Sequence, residues 1–248
     1  MVWLSGDTDI GQKRRSNQDV FLAELIGDNA LMIVCDRMGG AQGGETASRL
    51  ALETASKMIK RDVKDGMSEK TIQRILECAA AAANSVVFET ACEDPSLFGM
   101  GTTMTGAVLL NGCAHFIHAG DSRAYLLRDD MLTRLTVDHT YVQHLLSQKK
   151  ITEIEAATHP DRHKLIRAVG VEPRIRFDIF SIDLLPNDAI LLCSDGIYNY
   201  IDENALSALA AVSIKAKSVE SLINRANANG GGDNITAVLC HAAKEGRR

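Results

Sequence analysis

Short apolar runs with strand character arrive in groups in this chain, and pairs of amphipathic helices separate the groups. VFLAEL (20–25) and ALMIVC (30–35) stand ahead of the first pair, and TTMTGAVLL (102–110), CAHFIHA (113–119), AYLLR (124–128) and MLTRLT (131–136) follow it. The pair itself is read from spacing. Ala47, Leu50, Ala51, Thr54, Ala55 and Met58 share one face from Gly44 to about Lys60, and Ile72, Ile75, Leu76, Ala79, Ala83, Val86 and Val87 share another further on. From His139 to about Ala168 the pattern turns polar and helical. Two more strands (RIRFDIFSI, AILLC), two more helices (about Glu203 to Val212 and Val219 to Ala228) and a last strand, ITAVLCHA, complete the chain. A doubly wound parallel sheet needs regular strand-helix alternation, which is missing; the grouping predicts an α+β fold with antiparallel sheets. Asp129-Asp130, between AYLLR and MLTRLT, predicts a hairpin.

A chain of 248 residues, 46% hydrophobic and 24% charged, can bury a large core, which excludes disordered and fibrous classes. No Pro, Gly or Ser-rich linker marks a boundary, so one domain over residues 1–248 is expected. Twenty-seven basic against 32 acidic residues give a net charge of −5 with no long basic stretch, which argues against nucleic acid or an anionic membrane as partner. The start, MVWLSGDTDIG, lacks the basic flank and apolar stretch of a signal peptide, and no apolar run approaches the roughly 18 residues of a spanning helix; the expected location is cytoplasmic. The six cysteines (35, 78, 92, 113, 193, 240) form no C-x-x-C pair and read as buried reduced thiols, though spacing alone leaves a disulfide open. No heptad or long apolar helix calls for association, so a monomer is expected.

Aspartates punctuate the strands. Asp36 ends ALMIVCD, Asp121 ends CAHFIHAGD, Asp195 ends AILLCSD, Asp233 stands just before the last strand and Asp19 just before VFLAEL. An Asp after a strand is also a common turn residue, so each one alone says little. Together, carboxylates at the ends of buried strands can converge on one sheet edge, where they repel unless a cation neutralises them. Oxygen ligands without a Cys or His cluster select a hard ion, Mg²⁺ or Mn²⁺ rather than Zn²⁺. His115 and His118 read as packing or surface residues, and His139, His144, His159 and His163 as solvated ones. The glycine pairs Gly39-Gly40 and Gly43-Gly44, in a turn entering a helix, suit anion or metal approach as well as a plain loop.

In order along the chain stand G-x-x-R-x-x-N-Q-D (Gly11 to Asp19), D-R-M-G-G-x-x-G-G-E-x-A-S (Asp36 to Ser48), G-T-T (Gly101 to Thr103) and G-D-S-R-A-Y-L (Gly120 to Leu126). L-T-x-D-H-T (Leu135 to Thr140), I-R-A-V-G (Ile166 to Gly170), C-S-D-G (Cys193 to Gly196) and G-G-D-N-I-T (Gly231 to Thr236) follow. This set, over almost the whole chain, resembles the bacterial metal-dependent protein phosphatases, the type 2C serine/threonine phosphatases. The resemblance implies a four-layer α-β-β-α sandwich with two antiparallel sheets flanked by helix pairs, and a binuclear Mn²⁺ or Mg²⁺ site in a cleft at one end. It implies that Asp36 bridges the two ions, Asp195 and Asp233 complete the first site, Asp19 holds waters of the second, and Asp121 joins Asp195 at a weaker third ion. It further implies that Arg14 grips the substrate phosphate, that a flap covers about residues 139–162, and that the substrates are phosphorylated proteins whose Ser/Thr kinase it opposes. Two metals can share a bridging water, lower its pKa and clamp an in-line displacement, so no phosphoenzyme is needed. No cysteine is followed by arginine six residues later, and neither a P-loop nor an H-E-x-x-H motif occurs.

Two positions depart from that family. Arg37 stands where a glycine usually offers its carbonyl to the second metal; if that backbone needs a positive φ, arginine costs on the order of 1 kcal/mol. Arg37 is expected either to weaken the second metal or to lend a second phosphate-gripping charge. Many relatives also carry a histidine beside the Gly-Gly pair, a candidate general acid, where this chain has Met38 and Ala41. His139 belongs to a motif that is structural in the family. The rival to an active phosphatase is a pseudophosphatase that binds phosphoproteins, suggested by Arg37 and opposed by the complete set of carboxylates. A phosphatase dedicated to one anti-sigma-factor regulator would usually bring a sensor or receiver domain, for which the chain has no room.

Overall fold

The computed structural model describes residues 2–27, 29–38 and 44–242. Two five-stranded sheets are antiparallel throughout. The first has the order β1 (Val2–Asp9), β12 (Ile235–Ala242), β11 (Ala189–Cys193), β8 (Arg123–Arg128), β9 (Met131–Arg134). The second has the order β10 (Asp178–Asp183), β7 (Cys113–Ala119), β6 (Met104–Leu110), β3 (Asn29–Cys35), β2 (Val20–Ile26), and a two-stranded ladder joins β4 (Arg37–Met38) to β5 (Gly101–Thr102). Helices α1 (Gly44–Asp62) and α2 (Glu69–Glu93) cover one sheet; α6 (Glu203–Ala216) and α7 (Glu220–Ala228) cover the other. Two short helices, α3 (Tyr141–Ser147) and α4 (Glu153–Thr158), occupy the flap segment, and α5 (Asp195–Tyr198) follows β11 directly.

Strand geometry explains both the layering and the nearly continuous apolar runs. Successive side chains of a strand point to opposite faces. Along β3, Ala30, Met32 and Val34 therefore enter the layer between the sheets while Leu31, Ile33 and Cys35 meet α1 and α2. Along β12, Val238 and Cys240 enter the central layer while Ala237 and Leu239 meet α6 and α7. Both faces are covered, so the central strands have no solvent side to carry polar alternation. The four layers implied by the resemblance are the observed ones. α2 is long and apolar enough to cross a membrane by length and composition, unlike what the sequence reading expected; its apolar face, with Ile72, Leu76, Ala79, Ala80, Ala83 and Val87, is buried against the second sheet.

Asp129 and Asp130 sit at φ 51° and 60°, the left-handed pair a tight two-residue hairpin needs. The RIRFDIFSI run yields a strand only from Asp178, and β9 stops at Arg134. No strand was expected at the N-terminus, yet Val2–Asp9 pairs along its full length with β12. Its own residues, VWLSGDTD, carry weak strand character, and the pairing comes from a partner more than 220 residues away.

Phe116 is fully buried in the central layer and stacks on Phe180 at 4.8 Å between ring centroids. Phe116→Ala should lower unfolding free energy by about 3–5 kcal/mol, read as a shifted urea midpoint at constant slope. A loss below about 1 kcal/mol would mean that the central layer relaxes around the void.

Candidate active site

Strand ends and the loops beside them build a cleft of about 720 Å³ at one end of the sandwich, lined among others by Arg14, Asp36, Arg37, Asp121, Asp195 and Asp233. Asp19, 4% exposed, lies at the start of β2 beside Asp36 rather than in the lining. All seven residues singled out in the sequence are thus brought together.

Each carboxylate is held by residues whose letters sit inside the motifs. The backbone of Asp36 is clamped by the G-T-T segment: its N–H donates to Thr103 Oγ1 (2.9 Å), and its carbonyl accepts from Thr103 N (2.7 Å) and Thr102 Oγ1 (2.8 Å). Asp19 Oδ2 accepts from Ser194 Oγ and Thr236 Oγ1, both at 2.7 Å. Asn234 accepts from Gln18 N–H and donates to the carbonyls of Ile10 and Ser16, which pins the loop carrying Arg14. Gly11, at φ 77°, and Gly196 allow the chain to pass so close to the Asp233 and Asn234 carbonyls that a side chain at either would collide with backbone. Behind Asp121, Arg123 makes two hydrogen bonds to Asp138, 3.2 and 2.8 Å, and lies 3.4 Å over the Tyr198 ring, whose hydroxyl donates to the Asp121 carbonyl at 3.0 Å. The sequence reading assigned no role to Ser194, Thr236, Asn234, Thr103 or Arg123; the signal was their membership of the motifs.

Crowding governs the electrostatics. Burial, then the charges of Asp19, Asp195 and Asp121, push the Asp36 carboxyl well above the ordinary carboxylate range. Burial, then Asp121, Asp233 and Asp19, does the same to Asp195. Burial raises Asp19 as well, against the lowering effect of its two hydroxyl donors, and lifts Asp121 to about 7. Arg14 relieves part of this, donating from Nη2 to Asp233 Oδ2 at 2.6 Å. Among the described residues, Asp19 Oδ1 remains buried without a hydrogen-bond partner. An orphaned anionic oxygen beside mutually repelling carboxylates fits a hard divalent cation. Among the described residues no three carboxylate, thiol or imidazole groups close around one point. A small hard cation that keeps several waters and takes only one or two carboxylates directly does not require such a cage.

A family model described as Protein phosphatase 2C matches residues 10–240. The chain belongs to the protein phosphatase 2C family. The serine/threonine phosphatase stp of Listeria innocua is 34% identical over 94% of this chain and 92% of its own length. The serine/threonine protein phosphatase PstP of Mycobacterium tuberculosis is 35% identical over 94% of this chain and 43% of its own. Among solved structures, the Mycobacterium tuberculosis phosphatase PstP/Ppp superposes with a TM-score of 0.88 at 32% identity, covering 98% of this chain and 99% of that one. The PstP catalytic domain in complex with two manganese ions superposes at 0.84, with 31% identity over 98% and 99% of the two chains. The protein is a serine/threonine phosphatase of the 2C type. These relatives give the pseudophosphatase reading no support.

Against that family background, Arg37 is not strained. It pairs with Thr102 in the β4–β5 ladder and is absent from the positive-φ residues, so the anticipated backbone cost does not arise. Gly39 to Gly43, including Ala41, lie outside the described residues. One histidine expectation needs correction. His139 is 6% exposed rather than solvated: its Nδ1 accepts from Gly120 N–H at 3.1 Å and its Nε2 lies 3.1 Å from Asp178 Oδ2, a structural role. His163 is exposed, as expected, and lines the cleft with Lys164 and Leu165, so the segment bordering the site runs past Arg162. His115 and His118 are packing residues, 2% and 0% exposed.

The carboxyls of Asp19, Asp36, Asp121 and Asp195 ionise less readily in the fold than in an unfolded chain, so between about pH 4 and their raised values the native state holds more protons. Stability of the chelator-treated protein should therefore fall as pH rises from about 4 toward 7, and Asp121→Asn should flatten the upper part of that decline. Urea midpoints across this range check it; a midpoint that climbs with pH contradicts the assignment.

Proposed function

We propose that this chain hydrolyses phosphoserine and phosphothreonine esters on proteins by direct attack of a metal-activated water, without a phosphoenzyme, opposing a Ser/Thr protein kinase in the cytoplasm. The observation that carries the reading is the convergence of Asp36, Asp121, Asp195 and Asp233, with Asp19 beside them, on the cleft that Arg14 enters. Asp36, Asp195 and Asp233 would hold one Mn²⁺ or Mg²⁺; Asp36, the Arg37 carbonyl and Asp19, through waters, a second; Asp121 with Asp195, a weaker third. Bound there, such ions supply a water acidified toward neutral pH and offset the charge of the phosphoryl group.

The chain's own residues do the positioning. Arg14 offers a planar fork of donors to phosphoryl oxygens, and its salt bridge to Asp233 ties that fork to the carboxylate edge. The clamp on the Asp36 backbone and the two hydroxyls on Asp19 fix the carboxylates before substrate arrives. A cysteine nucleophile is a poor alternative: Cys35 and Cys193 are fully buried, and burial pushes the thiols up, Cys193 to about 12. All six cysteines are free, as suits a reducing compartment, but against the expectation of buried thiols Cys78 and Cys92 are exposed and Cys113 is half-buried.

Turnover of a phosphothreonine peptide should rise with added Mn²⁺ and vanish with chelator or in Asp195→Ala. Arg14→Ala should raise KM at least about tenfold. A folded protein with no turnover at millimolar Mn²⁺ overturns the proposal.

A further inference from the structure

We propose that the groove between α2 and the free edge of β10 docks an acidic, extended segment of the protein substrate, which adds to the second sheet as a further strand. That the occupant belongs to a substrate rests on the phosphatase reading above. The groove lies apart from the cleft and shares no lining residue with it.

β10 is the outermost strand of its sheet. Alternate residues of such a strand turn N–H and C=O away from the ladder. Among the described residues, no backbone group of residues 178–182 is hydrogen-bonded except to β7. The register runs unbroken from Asp178↔His118 to Asp183↔Cys113, so no bulge twists the edge away, and the strand's own residues, DIFSID, include no Lys, Arg or Pro. Bulge, basic side chain and proline, three devices that blunt an edge, are thus missing from the strand itself.

The groove beside that edge measures about 950 Å³. One wall is a single face of α2, with Lys70, Gln73, Arg74, Glu77 and Ala81 at helical spacing, and the other is residues 175–180. Gln73 Nε2 donates to Ser181 Oγ at 3.0 Å, which fixes helix against strand. Ile175, Phe177 and Ile179 pack on the helix-side core and, with Ala81, give the groove an apolar lining.

Charge selects the occupant. The chain carries a net charge of −5, yet Lys70, Arg74 and Arg176 stand exposed in this one groove, and among the described residues none of them makes an ion pair or a side-chain hydrogen bond. Of the two carboxylates there, Asp178 is already paired, with Arg167 Nη1 at 2.8 Å and His139 Nε2 at 3.1 Å, which leaves Glu77 facing three cations. A second copy of this chain, paired edge to edge about a two-fold axis, would bring the same cations onto one another. A nucleic acid would answer the charge but offers no amide ladder to a strand edge. An extended polypeptide rich in carboxylates answers both: its backbone completes the β10 ladder, its acidic heads reach the cations, and its aliphatic stems cover the apolar lining. Docking there raises the concentration of the attached phosphoryl group at the cleft without entering the chemistry.

Fluorescence anisotropy of a labelled decapeptide of alternating Glu and Thr tests the groove, with wild type, Arg74→Glu and Arg176→Glu. Each substitution should weaken binding about tenfold, and a Lys-Thr decapeptide should bind at least about tenfold more weakly than the Glu-Thr one. N-methylation of every second amide, in the two possible phases, should abolish binding in one phase. In steady-state kinetics with Mn²⁺, a phosphothreonine peptide joined to the Glu-Thr decapeptide through Gly-Ser linkers of graded length should show a KM about tenfold below that of the unlinked phosphopeptide, an advantage lost in both variants. Turnover of p-nitrophenyl phosphate should stay the same in all three proteins, which also reports that the variants fold. Unchanged decapeptide affinity in both variants overturns the proposal, as does indifference to N-methylation in both phases, or equal binding of the Lys-Thr decapeptide or of oligothymidylate. A dimer in sedimentation that Arg176→Glu strengthens or dissolves overturns it in favour of a second copy, and decapeptide binding with no KM gain at any linker length overturns the assignment to substrate. Should the wild type bind the decapeptide but turn over neither ester, the phosphatase reading fails, while anisotropy still decides what the groove accepts.

Discussion

Five carboxylates crowded at one end of two packed sheets repel one another, and much of the structure around them serves to hold that crowding in place. Asp19, Asp36, Asp121 and Asp195 are each harder to ionise than an ordinary carboxylate because they are desolvated and face one another. Left alone, such groups would turn outward to water. Here they cannot, because their backbones are part of strand ends and of tight crossings that leave no room to swing: Asp36 under Thr102 and Thr103, Asp195 on a helix start where Gly196 touches the Asn234 backbone. The energy that keeps them there comes from elsewhere, chiefly the three apolar layers that order the strands.

Those layers explain why chemistry sits at a sheet end rather than on a face. With helices on both outer faces and the two sheets against each other, the faces of the central strands are occupied. What remains accessible are the ends, where chain reversals bring together residues distant in sequence: the loop at 10–18, the β3 end, the Gly120 turn, the β11 end and the approach to β12. Polar contacts between these segments, such as Asn234 to Ile10 and Ser16, make a single rigid rim from separate loops. Rigidity there matters because a group bound slightly out of place in the cleft loses its alignment with the residues that act on it.

The sequence was informative wherever a local rule applied. Apolar spacing placed α1, α2, α6 and α7 and most strands, the Asp129-Asp130 pair marked its hairpin, and the strand-terminal aspartates marked the cleft. It was silent where the cause was distant. β1 is a strand because β12 offers it a full ladder, and its mixed composition gave no sign of that. His139 looked solvated in a polar stretch, but Gly120 and Asp178, both far along the chain, bury and bond it. Ser194 and Thr236 looked like ordinary motif letters, yet both donate to Asp19, from 175 and 217 residues further along the chain.

By itself, then, the sequence determined the grouping of strands and helices, the antiparallel α+β class, the positions of the five aspartates at strand ends and of Arg14, and the presence of an arginine at position 37. These follow from side-chain chemistry and short-range periodicity, which act within a few residues. Only the tertiary structure decided which end of the sandwich the carboxylates share, that Asp19 stands beside Asp36 with one oxygen unpaired among the described residues, that Arg37 takes an unstrained extended backbone, and that Arg37 and Arg14 line one cleft. Those are distances between residues tens to hundreds of positions apart, and packing of the layers, not local preference, sets them.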